Sequence, residues 1–344
     1  DRATDPVSMP KAAGSNVAEI KNLPQGVNKI YLWAEDLVGN QGNEIFVEVT
    51  IDLEGVTFGG FYPTIDVWNT QIRPTCSIFI NDTLTGVDPL SIEYEIATSS
   101  VGFSENWQNI QDSYASAESL RVVVTGFFKN GKENWIRFRA QDLAGNKYQV
   151  SDGYNVWVDA EEPDFDLLSH SEDTYHLTPS QEVRIMITDT ESGVDASSIE
   201  YRTTTKGMTD WTPWRTYKEG VDGKSVEVRI TQTFRRGDQN YVQVRAKDQA
   251  GNPVETSDAF NIRINTFPEA VVTSPSSGDI LYDDTDIVFD ASDSYDPDGD
   301  KLTYTWYYSK GDEQVKLAEV ARYITPLDIG EYTITLVVKD RMDN

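Results

Sequence analysis

The 344-residue sequence contains a single cysteine, Cys76, and only two histidines, His170 and His176. One cysteine excludes an internal disulfide, and two histidines without a third ligand at suitable spacing do not form a zinc site. No apolar run approaches the roughly 20 residues that a membrane-spanning helix needs. Basic residues are also scarce, with 29 Lys and Arg against 57 Asp and Glu, and the formal net charge is −28. This charge opposes binding to nucleic acid and to anionic membranes.

The composition favours folded β-domains. Apolar residues make up 38% of the chain and aromatic residues 11%, which is enough to build packed cores. The 8 Trp and 17 Tyr, together with many Val, Ile and Thr residues, favour strands over helices. A chain of this length is expected to hold two to four domains.

A seven-residue motif recurs at a constant interval. Each copy has the form Ala-x-Asp-x-x-Gly-Asn, and its aspartates, Asp36, Asp142 and Asp248, are separated by two intervals of 106 residues. A second signature, Gly-Val-Asp followed by Ser-Ile-Glu-Tyr, occurs at 86–94 and again at 193–201. This periodicity predicts tandem copies of one domain of roughly 100 residues.

The residues that precede the motif alternate between apolar and polar. The apolar positions are Ile136, Phe138, Ala140, Val242, Val244 and Ala246. Alternation with a period of two predicts a half-buried strand. The Asp-x-x-Gly-Asn that follows is typical of a turn in which Gly adopts positive φ and Asp caps backbone amides. Regular short strands and turn signals in units of this length predict an all-β fold of tandem immunoglobulin-like sandwiches.

Residues 1–266 resemble the immunoglobulin-like (Big-type) surface repeats of bacteria and archaea. The penultimate strand of those repeats commonly runs into Ala-x-Asp-x-x-Gly-Asn, which occurs here three times at constant spacing. The resemblance implies a tandem array of β-sandwiches on a cell surface.

From Pro268 onward the chain resembles a PKD domain, another seven-stranded immunoglobulin-like sandwich. The matching segments are Asp-Ala-Ser-Asp-Ser-Tyr-Asp-Pro-Asp-Gly-Asp at 290–300, Leu-Thr-Tyr-Thr-Trp at 302–306, Gly-Glu-Tyr at 330–332 and Val-Val-Lys-Asp at 337–340. After Trp306 the family usually continues as a Gly-Asp-Gly turn, whereas this chain has Tyr-Tyr-Ser-Lys-Gly-Asp. The role that the family assigns to that turn is therefore not carried over.

Repeats and short Pro-containing linkers divide the chain into four units. These are the C-terminal half of an Ig-like domain at 1–52, Ig-like repeats at 53–160 and 161–266, and a PKD-like domain lacking its last strand at 267–344. Because proline limits swivelling at the linkers, we expect an elongated rod with incomplete terminal units. The cut ends predict either a window on a longer polypeptide or edges completed by another chain through donor-strand assembly.

Acidic loops are predicted to converge where neighbouring sandwiches meet, because the loops after the second and sixth strands and the incoming linker reach one pole of each sandwich. The candidate metal ligands are Asp82, Asp88 and Asp142; Asp189, Glu191, Asp195 and Asp248; and Asp290, Asp293, Asp296, Asp298, Asp300 and Asp340. Ca²⁺ takes about six to eight oxygen ligands, so these clusters predict a Ca²⁺ ion that stiffens each joint. The alternative is that each Asp caps a turn and holds no ion.

Surface features give further expectations. Glu93 and Glu95 are expected to form cross-strand ion pairs with Arg137 and Arg139. The sequon that begins at Asn81 is predicted to lie on a loop, which makes Asn81 a candidate glycosylation site.

The tryptophans divide into two groups. Alternation places Trp33, Trp135 and Tyr31 on outward faces, where they stack on a sugar ring or pack against a neighbouring domain or subunit. Trp107, Trp211 and Trp214 lie near the middle of a sandwich in sequence and are expected in or near the core.

No enzyme active site is predicted. A Gly-x-Ser-x-Gly elbow and a Gly-rich phosphate loop are missing, and carboxylate pairs are too frequent in so acidic a chain to single one out. Cys76 alternates with Ile78 and Ile80 as in a strand, so a buried, inert thiol is expected rather than a nucleophile.

The sequence therefore favours a non-catalytic structural or adhesive stalk segment of a large extracellular, prokaryotic cell-surface protein. An S-layer or surface-filament type is expected, of archaeal origin. Expected partners are neighbouring domains of the same chain, further copies in a homo-oligomeric lattice or filament, and other surface proteins or glycans. The alternatives are a ligand- or carbohydrate-binding accessory region of a secreted enzyme and a dedicated adhesin.

Overall fold

The computed structural model describes residues 20–99, 102–110, 114–171, 174–281 and 285–342. The predicted domain half at 1–52 is therefore described from residue 20 onward, and its residues 1–19 lie outside the described ranges. The chain divides into two compact units, 1–160 and 161–344. The structure is nearly all β, as predicted, and its helical content within the described ranges is one 3₁₀ turn at Pro89–Ser91. None of the helical residues described forms a segment long and apolar enough to cross a membrane.

The first unit contains twelve strands within the described ranges. They are β1 (Gly26–Leu32), β2 (Ile45–Ile51), β3 (Thr57–Tyr62), β4 (Trp68–Asn69), β5 (Thr75–Asn81), β6 (Glu93–Ala97), β7 (Gln108–Asn109), β8 (Ser119–Thr125), β9 (Trp135–Ala140), β10 (Gln149–Val150), β11 (Tyr154–Asn155) and β12 (Trp157–Val158).

Two sheets enclose the core of residues 53–160. One has the antiparallel order β3–β5–β8, and the other has the order β10–β9–β6–β7, with β11 also paired to β9. The short strand β12 runs parallel to β4. Inward residues of both sheets are fully buried, including Cys76 and Ile78 of β5 and Ile136 and Phe138 of β9. The alternation expected for β9 is confirmed.

Strands β1 and β2 form a two-stranded antiparallel pair ahead of this sandwich. Their apolar side chains remain largely exposed, as for Val27, Ile45 and Phe46. Leu32 is 41% exposed, whereas its equivalent in the following sandwich, Phe138, is fully buried in the core between two sheets.

The second unit begins with ten strands in residues 161–266. They are β13 (Asp164–Leu167), β14 (Tyr175–His176), β15 (Ser180–Thr188), β16 (Val194–Thr204), β17 (Arg215–Thr216), β18 (Ser225–Thr233), β19 (Tyr241–Asp248), β20 (Glu255–Thr256), β21 (Phe260–Asn261) and β22 (Arg263–Ile264).

The topology of 161–266 repeats that of 53–160 strand for strand. The order β13–β15–β18 corresponds to β3–β5–β8, and β17–β16–β19–β20 corresponds to β7–β6–β9–β10. β21 pairs with β19, and β14 runs parallel to β22 as β4 does to β12. Its core is separate and contains Ile185, Val228 and Val244, all fully buried. The sequence repeat is thus a repeat of one sandwich.

Residues 267–344 contribute five strands within the described ranges. They are β23 (Ile287–Asp290), β24 (Thr303–Lys310), β25 (Glu313–Ala318), β26 (Arg322–Thr325) and β27 (Thr333–Lys339). β23 pairs with β26, and β25–β24–β27 form a second antiparallel sheet. A third core forms around the fully buried Phe289 and Trp306, whose rings meet edge to face.

Candidate metal centre

Three carboxylates meet inside the first unit. Asp52 directly follows β2, Asp82 directly follows β5, and Asp142 lies two residues beyond β9. They are 9%, 7% and 1% exposed, and one oxygen atom of each lies within 4.8 Å of one oxygen of the other two. The loops after β5 and β9 therefore meet the incoming linker. Asp52 was not among the predicted ligands, because it belongs to no repeated motif.

The same carboxylates also cap turns. Asp82 Oδ1 accepts the N–H of Thr85 over 2.9 Å, and Asp142 Oδ1 accepts the N–H of Asn146 over 3.0 Å. Asn146 Nδ2 donates to Asp142 Oδ2 over 2.6 Å and to the backbone oxygen of Asp52 over 3.2 Å. The last residue of the motif thus ties its own turn to the linker. Turn capping and the grouping of carboxylates occur in the same residues.

The chemistry of this group suits a hard cation. Within the described ranges, none of Asp52, Asp82 and Asp142 forms an ion pair with Lys or Arg. Three buried carboxylates without a cation repel one another and lose hydration. Ca²⁺ binds carboxylate and carbonyl oxygens in flexible geometry, so the donor set fits this ion.

The second repeat carries the equivalent pair. Asp189 and Asp248 are buried, and one carboxylate oxygen of each lies within 4.8 Å of the other. Asp189 Oδ1 accepts the N–H of Gly193 over 2.6 Å, and Asp248 Oδ1 accepts the N–H of Asn252 over 3.0 Å. The loop geometry of the first repeat is therefore reproduced.

Three predicted ligands lie outside these groups. Asp88 Oδ1 accepts the N–H of Leu90, and Asp195 Oδ1 accepts the N–H of Ser197, so each caps the turn that follows it. Glu191 is half-buried and does not join the acidic group either. Because an Asp at the start of a turn bends back to its own backbone, the capping alternative accounts for Asp88 and Asp195, and their role as ligands stays a prediction.

The six predicted ligands of residues 267–344 do not form one cluster. Asp290 pairs with Arg322 across β23 and β26 at 3.2 Å, and Asp293 is exposed. Asp296 Oδ1 accepts the N–H of Asp298 over 2.8 Å and that of Asp300 over 3.4 Å. The Oδ2 atoms of Asp296 and Asp300 are buried without a hydrogen-bond partner.

The remaining two carboxylates contact the preceding linker. Asp298 accepts hydrogen bonds from the N–H and the hydroxyl of Thr266. Asp340 Oδ2 accepts a hydrogen bond from Asn265 Nδ2 over 2.7 Å. Here an amide occupies the position after the last strand of a repeat, where Asp52 lies in the first unit.

The expected ion pairs are present on the outward face of the sheet β10–β9–β6–β7. Arg137 donates to Glu95 through Nε and Nη2, and Arg139 donates to Glu93. Glu95 is only 1% exposed and also accepts the N–H of Ser104 over 2.7 Å. Burial opposes ionisation, but the bonds from Arg137 and from backbone amides lower the pKa of Glu95.

Tryptophans expected in or near the core lie on this outward face instead. Trp107 lies over the guanidinium groups of Arg137 and Arg139, with centroid distances of 4.7 and 4.5 Å. In the second repeat Trp214 lies over Arg202 and Arg245 at 4.5 and 4.4 Å. Cation–π attraction to outward arginines explains the placement. Trp211 lies over Arg202 in the same way.

The other candidates are placed as follows. Asn81 is the last residue of β5 rather than part of a loop, and its Oδ1 accepts the Ser119 hydroxyl. Cys76 is fully buried, and burial raises the pKa of its thiol to about 12, which makes it unreactive. Tyr31, Trp33 and Trp135 are 39%, 41% and 38% exposed, as expected for outward positions.

Comparison with known proteins identifies one part of the chain. A model of the PKD domain family matches residues 267–344, so this part is a PKD domain and the resemblance from Pro268 is confirmed. The resemblance of residues 1–266 to bacterial and archaeal surface repeats stays a prediction. No curated protein matches the chain.

Two solved structures show distant similarity. The fibronectin(III)-like modules of Clostridium thermocellum CbhA are 13% identical, with 61% of this chain and 93% of theirs covered and a TM-score of 0.24. Escherichia coli alpha-2-macroglobulin activated by porcine elastase is 14% identical, with 83% of this chain and 28% of its own covered and a TM-score of 0.20. TM-scores at this level do not establish a common architecture.

Proposed function

We propose that the chain is a non-catalytic structural or adhesive segment of a large prokaryotic cell-surface protein, of S-layer or surface-filament type, with Ca²⁺ bound in its acidic loops. PKD domains are typical of extracellular proteins and are typically non-catalytic modules. The excess of acidic residues suits a calcium-containing medium. An archaeal surface protein that forms a lattice or filament with further copies of itself agrees best with these features.

The group of Asp52, Asp82 and Asp142 carries the proposal. It joins a linker residue to the two loops at one pole of the sandwich, and its oxygen atoms lie within 4.8 Å of one another. An ion held by all three carboxylates would fix the linker to both loops and stiffen the chain at residue 52. Asp189 with Asp248, and Asp296 with Asp300, are the candidate ligands in the second unit.

The Asp52→Asn variant tests this proposal, because the chain already contains an Asn–Asp pair at the equivalent place. In the presence of a chelator, we expect Asp52→Asn to raise Tm by about 2–4 °C, since an amide can donate to a neighbouring carboxylate as Asn265 does. Saturating Ca²⁺ should stabilise the wild type by about 2–3 kcal/mol and the variant much less.

Asp36→Asn is the matched control. Asp36 caps the same Asp-x-x-Gly-Asn turn, accepting the N–H of Val38 and of Asn40, but it is exposed and does not belong to the acidic groups found within the described ranges. Its substitution should leave the calcium response intact. If the wild type unfolds at the same Tm in calcium and in chelator, the proposal that it binds Ca²⁺ is wrong.

A carbohydrate-binding role is the second candidate, and a surface cleft favours it. The cleft of about 360 Å³ has an aromatic wall and polar groups around it, and its lining residues are Ser99, Gly102, Phe103, Lys132, Glu133 and Trp135. Sugar rings stack on exposed tryptophan. Calorimetric titration with neutral oligosaccharides should show binding that Trp135→Ala abolishes and Trp33→Ala retains. Heats equal to dilution would exclude this role for the tested sugars.

A further inference from the structure

The only two histidines of the chain are in ring-to-ring contact. The centroids of His170 and His176 are 4.4 Å apart, with the rings at 60°. His170 is 8% exposed, and the Nε2 atoms of both rings are buried without a hydrogen-bond partner in the part of the chain described. Buried polar atoms are normally paired, so two adjacent unpaired ring nitrogens call for an explanation.

Each histidine is anchored to a different part of the second repeat. His170 Nδ1 shares a hydrogen bond with the hydroxyl of Ser169, which accepts the N–H of Arg184 on β15. His176 ends β14, which pairs with β22, and its backbone oxygen accepts the N–H of Asn265 over 3.0 Å. The ring contact therefore connects the sheet that contains β15 to the strand that leads into the linker.

The linker continues directly into the PKD domain. Asn265 donates to Asp340, and Thr266 donates to Asp298. The backbone bond to His176 is thus adjacent to the contacts that join the repeat to the PKD domain. Loss of β14 from β22 would release Asn265 on its repeat side.

Charged and polar groups lie close to the ring pair. Arg263 on β22 faces Tyr175, and a side-chain hydrogen bond with Gln181 opposes part of the lowering of the His170 pKa by burial. Asp238, Asp298 and Asp300 act on the pKa of Tyr175, which burial and these carboxylates raise, but they do not contribute to the shifts of either histidine. Glu172 and Asp173 belong to the same segment and lie outside the described residues.

Protonation of either ring therefore places a positive charge against a second imidazole, at a ring whose Nε2 atom is buried. Burial lowers the pKa of both histidines, and the nearby charge of His176 lowers that of His170 further. A group whose pKa is lower in the folded state than in the unfolded state binds protons more tightly in the unfolded state, so protonation favours unfolding. The neutral histidines therefore contribute their full stabilisation of the folded state above the unfolded pKa of about 6.5, and this contribution is lost as the pH falls below that value.

We infer that His170 and His176 form a pH-sensitive latch on the linker between residues 161–266 and the PKD domain. The latch is closed while both imidazoles are neutral, and it opens when one of them is protonated and β14 leaves β22. The inference goes beyond the proposed function and does not depend on calcium, because neither histidine belongs to the acidic groups.

Proton NMR of the wild-type chain tests the latch directly, since two histidines give two Cε1–H signals. Between pH 7.5 and 5, both titration midpoints should lie below about 6.5, the value of an unperturbed histidine. The hydrogen-exchange protection factor of the Asn265 amide should fall at least tenfold over the same range. Midpoints at or above 6.5, or a constant protection factor, would overturn the inference.

The double variant His170→Phe, His176→Phe keeps an aromatic pair without a titrating group. Its Asn265 protection factor should stay constant between pH 7.5 and 5, whereas Tyr175→Phe, in the same strand, should behave as the wild type. The wild-type measurement stands even where the double variant fails to fold. Stoichiometric shifts of both histidine signals on adding Zn²⁺ at pH 7.5 would identify a metal site and contradict the latch.

Discussion

Asn265 Nδ2 and Asp340 Oδ2 form a buried hydrogen bond of 2.7 Å between the end of a repeat and the PKD domain. Asp340 directly follows β27, and Asp142 lies two residues beyond β9. Asn265 follows β22 as Asp52 follows β2. The linker residue is thus an amide in one case and a carboxylate in the other. A donor and an acceptor meet at residue 265, whereas like charges meet at residue 52.

Asn265→Asp should therefore destabilise the second unit when no divalent ion is present. The change removes a donor and places a second carboxylate beside Asp340, so we expect a loss of about 2–3 kcal/mol in chelator. Chemical denaturation measures the loss. Asn261→Asp is the control, because Asn261 donates to backbone oxygens of Asp238 and Asn240 rather than to a carboxylate. Equal losses of unfolding free energy in both variants would show that the hydrogen bond to Asp340 contributes no more to stability than the hydrogen bonds of Asn261.

Arg137→Met should be among the most damaging surface substitutions in the first unit. It leaves Glu95, which is 1% exposed, as a buried carboxylate without its partner, and the expected loss is about 3–5 kcal/mol at pH 7. Arg184→Met is the control. Because Arg184 is 41% exposed beside Glu227, this variant should lose less than about 1 kcal/mol of unfolding free energy. Similar losses of unfolding free energy in both variants would show that the burial of Glu95 does not determine how much its ion pair contributes to stability.

Acid should weaken the same contact. Because the pKa of Glu95 is lowered in the folded protein, its contribution is present above the unfolded value of about 4.3 and is lost as pH falls. The difference in unfolding free energy between wild type and Arg137→Met should therefore narrow between pH 7 and pH 3. A constant difference would mean that Glu95 does not titrate with the pair.

Cys76 should react with alkylating reagents only after unfolding. Its side chain is fully buried and its thiol pKa is raised to about 12, so thiolate is scarce at pH 8. Mass spectrometry should show no added iodoacetamide on the native chain within an hour and one addition in denaturant. Rapid labelling of the native chain would contradict the packing of β5.

The architecture follows from local sequence patterns to a large extent. The recurrence of Asp36, Asp142 and Asp248 predicts the repeat, and the alternation around Phe138 predicts which face of β9 is buried. These features depend on residues that are close in sequence, so local sequence patterns are enough to predict them. The turn after each strand is likewise encoded in its own residues.

Contacts between residues that are distant in sequence could not be predicted from local sequence patterns. Asp52 lies outside the repeated motif, and only the folded chain brings it to Asp82. Trp107 was expected in or near the core because it lies near the middle of a sandwich in sequence, but two outward arginines hold it on the outward face of the sheet. The sequon at Asn81 was predicted to lie on a loop, yet Asn81 pairs with Thr57 and Ser119 on both sides of β5. Such placements depend on partners far away in sequence.

Anomalous diffraction from crystals of this chain grown with Ca²⁺ shows whether the three carboxylates hold an ion. We expect an anomalous difference peak at about 2.3–2.6 Å from carboxylate oxygens of Asp52, Asp82 and Asp142, the distance typical of Ca²⁺ ligands. The absence of a peak there, with the three carboxylates held only by their turn amides, would contradict this expectation.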